Sequence, residues 1–383
     1  MKYTEIGSNF WLDPDSTYSV RPIPVEAFNL PDGDLTYTST GRGAIALCLR
    51  QLDLAEDRKT ALLPAYTCDS VVLPFVENGF RVAYYDLEKD LSVNAQAFLA
   101  KIKTTDPTVI LVHNYFGFDT LSPLRAAFET LRSQGIILIE DLTQVLFSAI
   151  PRVEADFYVA SFRKWMPIPE GGLALKREGS FKNVPIETDE LLEKAKLDGL
   201  HAKFRYIVRG EGPKQVFLDK CRIAEEILET QGDLYAMGDF SKQFLGDFDI
   251  AELKQSRRAN YQYLLESFKD SHRLVPVFPD LPEDVVPLYL PLYAQSEQSR
   301  NRLQLMLREQ AIYAPIVWPN FDGFKGLQLK DIAESVAWIY THTLSLPLDQ
   351  RYGSEDMDAI VAVLKDFEQT KMLLDDVGKE ALP

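Results

Sequence analysis

The sequence predicts an α/β protein: a mostly parallel sheet packed between helices, followed by a smaller C-terminal α+β domain. Three observations carry this. Short apolar, β-branched runs alternate with amphipathic stretches from residue 35 to about 176, a glycine-framed helix follows the first run, and strand-like and helix-like segments alternate again near the C-terminus. At 383 residues the chain exceeds the usual size of one hydrophobic core, so two connected domains are expected.

In order, the runs "TALLPAY", "RVAYYDL", "TVILVHNYF", "GIILIED", "ADFYVASF" and "GGLALKR" read as strands covered on both faces, because they stay apolar rather than alternating with polar residues. The first helix is explicit. After "LTYTST" comes "GRGAIALCLRQL", with Ile45, Cys48, Leu49 and Leu52 at helical spacing. Residues 177 to about 270 read as mainly helical, with "DIAELKQSRRANYQYLLESF" the longest amphipathic stretch. Beyond them, "VVPLYLPLYA" and "AIYAPIVWP" are expected strands on either side of a helix at "SEQSRNRLQLMLREQ". A final helix starts at Ser354, with Glu355 and Asp356 in its first turn and an apolar stripe of Met357, Ile360, Val361 and Leu364.

Composition narrows the function classes. A net charge of −16, from 41 basic and 57 acidic residues, argues against general affinity for phosphodiester backbones, so no nucleic-acid partner is expected. The start "MKYTEIGSNFWLD" has no apolar signal core, and no stretch approaches the roughly 20 apolar residues of a membrane helix, which points to a cytoplasmic protein without a membrane partner. Cys48, Cys68 and Cys221 are too few and too widely spaced for a disulfide framework. The four histidines, His113, His201, His272 and His342, show no metal-ligand spacing, so no metal site is expected.

Three local features stand at the ends of predicted strands, where open α/β sheets gather ligands. "STGRGAI" offers a helix N-terminus reached through Gly41 and Gly43, an anion site to which Arg42 adds charge. "GIILIEDLTQ" delivers Glu140 and Asp141 from a buried run, with Gln144 three residues on; a carboxylate there must be paired, solvated or used, and capping the next helix is the plain alternative. "SFRKWMPIPEGG" places Ser161 and Lys164 in one turn before an irregular loop. Most lysines are solvated surface charges, but an amine held there, partly desolvated, has the chemistry of a Schiff-base nucleophile. Together the three supply what pyridoxal phosphate requires: amides and a hydroxyl for its phosphate, a carboxylate for its ring nitrogen and a lysine for its aldehyde.

With these residues the chain resembles the sugar-nucleotide aminotransferases of the DegT/StrS type, within the fold-type I pyridoxal phosphate enzymes. The resemblance runs from about residue 35 to "LSLPL" and rests on "GRGAI", "LPAYTCDSV", "IEDLTQ" and "SFRKWMPIPEGG". It implies Lys164 as the Schiff-base lysine and proton shuttle, Asp141 at the pyridine nitrogen and Gln144 at the ring 3-hydroxyl. Ser161 and the Thr40, Gly41, Arg42 and Gly43 segment would hold phosphate, and Cys68 stands where the family places an aromatic ring, with Tyr66 two residues earlier as the alternative cover. It further implies an N-terminal arm (1–34), a cofactor-binding large domain (35–245), a small domain (246–383) and a homodimer. The expected reaction is a two-stage transfer of an amino group from a donor such as glutamate to a keto-sugar nucleotide.

Besides Cys68, the chain departs from the family in two further places. Its serine precedes the lysine by three residues rather than about five, and "AKFRY" puts Lys203 where an asparagine would reach a neighbouring subunit's phosphate. Arg42, Arg163, Lys203 and Arg205 are the basic residues available for an anionic substrate, and Asn114, Tyr115 and Trp318 are further candidates for ring or substrate contact. Several rivals remain. "GRGAIA" fits a dinucleotide fingerprint, although "LLPAYTCD" ends without the acid such a site needs about 20 residues on. Ser161 and Lys164 have the spacing of a serine hydrolase pair, without the further Ser-Asp-Asn and Lys-Thr-Gly elements. A pyridoxal phosphate lyase or dehydratase, or a non-catalytic protein of the same fold, completes the set.

Overall fold

The computed structural model describes residues 5–230, 232, 234–269, 271–318 and 332–370. A short strand β1 (Ile6–Gly7) comes first, and β2 (Asp34–Thr38) leads into α1 (Gly41–Leu49). Strands and helices then alternate through β3 (Thr60–Pro64), α2 (Asp69–Glu77), β4 (Arg81–Tyr85), α3 (Ala95–Thr105), β5 (Val109–His113), α4 (Arg125–Ser133) and β6 (Ile137–Asp141). After these, β7 (Phe157–Ser161) and β8 (Gly172–Lys176) are separated by one 3₁₀ turn and the proline loop.

These strands form one seven-stranded sheet in the order β2-β8-β7-β6-β5-β3-β4. The pairs from β4 through β7 are parallel, whereas β8 runs antiparallel to both β7 and β2. Every residue of β3 and of β5 is buried, as their unbroken apolar runs require of strands covered on both faces. The parallel strands therefore end on one edge of the sheet, and β8 begins there.

The helical region comprises α5 (Glu190–Phe204), continued by a π-helical turn over Arg205–Arg209, then α6 (Lys214–Thr230), α7 (Asp239–Asp247) and α8 (Ile250–Glu266). Asp249 caps α8 by accepting from the Glu252 amide at 2.9 Å. The C-terminal part contains β9 (Leu274–Pro276), β10 (Leu290–Ala294), α9 (Glu297–Glu309), β11 (Ile312–Tyr313), α10 (Glu334–His342), β12 (Thr343–Leu346) and α11 (Ser354–Gln369). Its antiparallel sheet has the order β12-β10-β9. Thus the expected pairing of a mostly parallel sheet with a smaller α+β unit is what the chain forms. In α11 the cap position falls on Gly353, and Asp356 accepts from its amide at 3.2 Å.

One long-range tie was not foreseen. β1 pairs in parallel with β11, Ile6 opposite Ile312, so the start of the chain is built into its C-terminal part. Lys203 fastens it: the fully buried amine donates to the Asn9 carbonyl at 2.6 Å, and burial lowers its pKa to about 7. This side chain is committed within its own chain.

At the active edge of the sheet, Gly172 of β8 pairs with both Thr38 and Ser161. A Cβ there would stand 2.3 Å from the Thr40 carbonyl oxygen, so only glycine lets the chain before α1 approach so closely. Gly172→Ala is expected to exceed the roughly 1–3 kcal/mol that overpacking costs, because backbone rather than a flexible side chain must give way. Thermal unfolding of the variant measures this.

Candidate active site

The sheet edge is built from neighbouring strand ends. His113 lies opposite Asp141 across β5 and β6, Asp141 opposite Val159 across β6 and β7, and Ser161 opposite Gly172 across β7 and β8. Above this edge opens a cavity of about 310 Å³. Its wall includes Thr40, Gly41, Arg42, Cys68, Asp141, Gln144, Ser161 and Lys164. Residues 124 positions apart in sequence (from 40 to 164) thus share one wall, because crossover helices return the chain to the same edge each time.

Thr40 is the cap of α1: its hydroxyl accepts from the Gly43 amide at 2.9 Å. Gly43 therefore stands behind the wall with its amide engaged, and the amides of Gly41 and Arg42 remain among the first-turn donors that a helix cannot satisfy itself. A Cβ on Gly41 would lie 2.9 Å from the Ser161 Cβ, so the helix start and the end of β7 are clasped together. The Arg42 guanidinium is steadied by the Leu228 carbonyl at 3.4 Å and the Ser70 hydroxyl at 3.3 Å.

Asp141 is buried, and its Oδ1 accepts from the Thr143 amide at 2.8 Å. Loss of water raises its pKa, opposed by hydrogen bonds from Thr143 and by no cation among the described residues. Gln144 turns its carbonyl oxygen to the Phe116 amide at 2.9 Å, which aims its NH₂ elsewhere in the cavity wall. Thr143 joins the two halves of the site, a role not evident from the sequence although it stands inside "DLTQ". Its hydroxyl accepts from the Ser161 amide at 3.0 Å and its carbonyl from the Trp165 indole at 2.6 Å.

Lys164 ends the 3₁₀ turn Phe162–Lys164, with an exposed side chain that has no hydrogen bond or ion pair among the described residues. The turn itself is anchored by the residue that follows it. Trp165 is fully buried, and its carbonyl accepts from Gln350 at 2.8 Å and from Arg257 at 3.4 Å. The amine is thus exposed rather than partly desolvated as expected, and it lies within electrostatic reach of the Glu225 carboxylate.

The other candidates divide. Cys68 lines the cavity, while Tyr66 is fully buried behind it against Tyr115, Trp318 and Tyr340. Trp318 is on the wall, with its backbone at φ +57°. Asn114 and Tyr115 are not: Asn114 accepts from the Thr120 and Leu121 amides, and the Tyr115 hydroxyl donates to the Tyr66 carbonyl. Their neighbours His113 and Phe116 face the cavity instead. Burial pushes the His113 pKa down to about 4, so its imidazole is neutral at physiological pH. Arg163 is on the wall and pairs with Glu225 at 3.5 Å.

Glu170, six residues after Lys164, is buried, and its pKa rises to about 8 through desolvation, with the Glu193 carboxylate adding to the rise. It accepts from the Gly238 amide at 2.5 Å. The folded state keeps this proton while the unfolded chain releases it near its ordinary value, so the stability contribution is full below about pH 4.5 and is lost as pH rises toward about 8. Glu170→Gln is expected to remove that decline, an effect on the order of a few kcal/mol above pH 8. Melting temperatures of both proteins across pH 4–9, read as a difference curve, measure it.

Among the described residues no group of three or more His, Cys, Asp or Glu side chains is placed to hold a metal ion. No described helix is long and apolar enough to cross a membrane.

No protein-family model matches the chain, and no curated protein sequence does. Solved structures share its fold across nearly the whole length. Helicobacter pylori PseC, an aminotransferase involved in the biosynthesis of pseudoaminic acid, is 16% identical with a TM-score of 0.67, over 95% of this chain and 99% of its own. A DegT DnrJ EryC1 StrS aminotransferase from Brucella abortus is 16% identical with a TM-score of 0.61, over 90% and 88%. Spr1654 from Streptococcus pneumoniae in its PLP form is 15% identical with a TM-score of 0.66, over 93% of each chain. The chain has the fold of these aminotransferases.

Proposed function

We propose that the protein is a pyridoxal phosphate-dependent aminotransferase acting on a keto-sugar nucleotide, with an amino acid such as glutamate as donor, as a cytoplasmic homodimer. The observation that carries this reading is that Asp141 and Lys164 open onto one cavity, the first a buried carboxylate without a cation, the second an exposed amine with no hydrogen bond or ion pair among the described residues. Both groups lack the counterpart that pyridoxal phosphate brings: a protonatable ring nitrogen and an aldehyde. Structural neighbours with this fold, one of them in a PLP form, support the choice.

The residues present fit the cofactor. The amides of Gly41 and Arg42 and the Ser161 hydroxyl are donors for its phosphate at the positive end of α1. Asp141 would hold a proton on the ring nitrogen, and the Gln144 NH₂ would donate to the ring hydroxyl. Cys68, which lines the cavity, rather than the buried Tyr66 would be the one to cover the ring. When bound, pyridoxal phosphate supplies the carbonyl that takes up the amino group and the ring that stabilises negative charge at the substrate α-carbon. The Lys164 Nζ would take the α-proton and later give it back, as general base and then general acid. Val71, Val159 and Leu288 would give the rest of the wall an apolar lining for the bound reactants.

The test is a single turnover. Protein loaded with pyridoxal phosphate is expected to lose its lysine-linked absorbance when glutamate is added and to regain it with a keto acceptor. Unchanged absorbance across a panel of amino donors would falsify the aminotransferase reading while leaving cofactor binding intact.

A further inference from the structure

All three polar groups of Thr143 are engaged, and one of them still has a proton to give. Its amide donates to the Asp141 Oδ1 at 2.8 Å, its carbonyl accepts from the Trp165 indole at 2.6 Å, and its hydroxyl oxygen accepts from the Ser161 amide at 3.0 Å. A hydroxyl that accepts keeps its own hydrogen for a second partner. Here that partner is Asp141, whose carboxylate takes a hydrogen bond from the Thr143 side chain as well as from the amide. One half-buried residue on the cavity wall thus places two donors on one buried acid.

Those donors are what opposes burial. Loss of water favours the protonated form of Asp141, and the charged form is favoured by the Thr143 side chain first and its amide second. Arg42 of α1, Cys68 at the cap of α2, His113 of β5, Arg163 and Lys164 of the 3₁₀ turn and Tyr289 line the same cavity, and among the described residues none of them is a charge or hydrogen-bond partner of this carboxyl. His113, opposite Asp141 across the sheet, is neutral and has its Nε2 on the Thr67 hydroxyl at 3.0 Å. Val159, opposite on the other side, carries no charge. Glu140, the preceding residue of β6, turns away and accepts from the Val153 amide at 2.8 Å. The state of the acid therefore depends on a neighbouring hydroxyl rather than on any cation.

We propose that Thr143 is a positioning residue: its hydroxyl, oriented by the Ser161 amide, keeps Asp141 ionised and ready before a cofactor arrives. For what that charge serves, a protonated ring nitrogen, the inference rests on the aminotransferase reading; for the state of the acid it does not. Because the same hydroxyl fixes the end of β7, one side chain sets both the acid and the Ser161 donor on the opposite part of the wall.

The experiment reads the carboxyl itself. Cofactor-free protein with carbon-13 at its aspartate carboxyls is titrated by NMR, and the Asp141 signal is the one missing from Asp141→Asn. In the wild type it is expected to be that of a carboxylate at neutral pH. Thr143→Val keeps the amide and the shape but removes a donor to the charged form, so the carboxyl is expected to titrate at higher pH, with a proton affinity about tenfold greater, on the order of one charge-assisted hydrogen bond. Thr143→Ser is expected to restore the wild-type titration, and Thr143→Ala makes the same comparison should the valine variant fail to fold. A protonated Asp141 in the wild type at neutral pH, a titration unmoved by loss of the hydroxyl, or a serine variant displaced as far as the valine one overturns the proposal. Lysine-linked absorbance on adding pyridoxal phosphate to the same samples reports the cofactor reading separately, so its failure is not confused with failure of the role given to Thr143.

Discussion

Lys164→Ala is expected to bind pyridoxal phosphate without developing lysine-linked absorbance, and to lose transamination by on the order of 10⁴-fold or more, the upper range for removal of a group that transfers protons in the transition state. The fold is expected to survive. Lys164 makes no contact that the turn needs, because the turn is fixed by Trp165, whose indole donates to Thr143 and whose carbonyl accepts from Gln350. Unfolding curves should therefore superimpose on the wild type while activity disappears. Exogenous small amines should restore a fraction of the rate, since the space left by the side chain opens onto the cavity.

Asp141→Asn has the second largest effect, and its sign differs between function and stability. The substitution keeps the shape and the hydrogen bond from the Thr143 amide but removes the charge. Activity is expected to fall by a hundredfold or more, on the order of what loss of one well-placed electrostatic group costs a reaction that builds charge. In cofactor-free protein the same change should stabilise the fold at neutral pH. Asp141 has a folded pKa above its ordinary value because it is buried, so its stability contribution is present at low pH and lost as pH rises through the folded value. Asparagine escapes that loss. Melting temperatures with and without pyridoxal phosphate check both halves: the cofactor should raise the wild type more than the variant. A variant that is both less active and less stable would assign Asp141 a structural role.

The core of the large sheet was legible because β3, β5, β6 and β7 are buried on both faces and read as unbroken apolar runs. The strand-end residues Asp141 and Ser161 were legible for the same reason, as polar residues placed where such a run stops. Direction was not. β8 reverses relative to β7 through the loop from Trp165 to Gly171, and nothing in the apolar pattern of "GGLALKR" distinguishes a parallel strand from an antiparallel one. The pairing of β1 with β11 was equally hidden, since two-residue strands have no period to detect. At the end of β5 the misplacement was local: Asn114 and Tyr115 turn inward to satisfy the loop, and His113 and Phe116 take the cavity side. Thr143 was overlooked because a threonine in a loop carries no signal until its three partners, Asp141, Ser161 and Trp165, are seen around it.

Lys203 shows how charge alone misleads. Counted among the basic residues available to an anionic ligand, it is buried under the N-terminal segment, donating to the carbonyls of Gly7 and Asn9. Arg42 and Arg163, counted with it, do line the cavity.

The central claim is a covalent bond at one amine. Protein incubated with pyridoxal phosphate, reduced with borohydride and digested should carry the pyridoxyl mass on the peptide containing Lys164 and on no other lysine. Recovery of that mass elsewhere, or on no peptide at all, would contradict the account at its root.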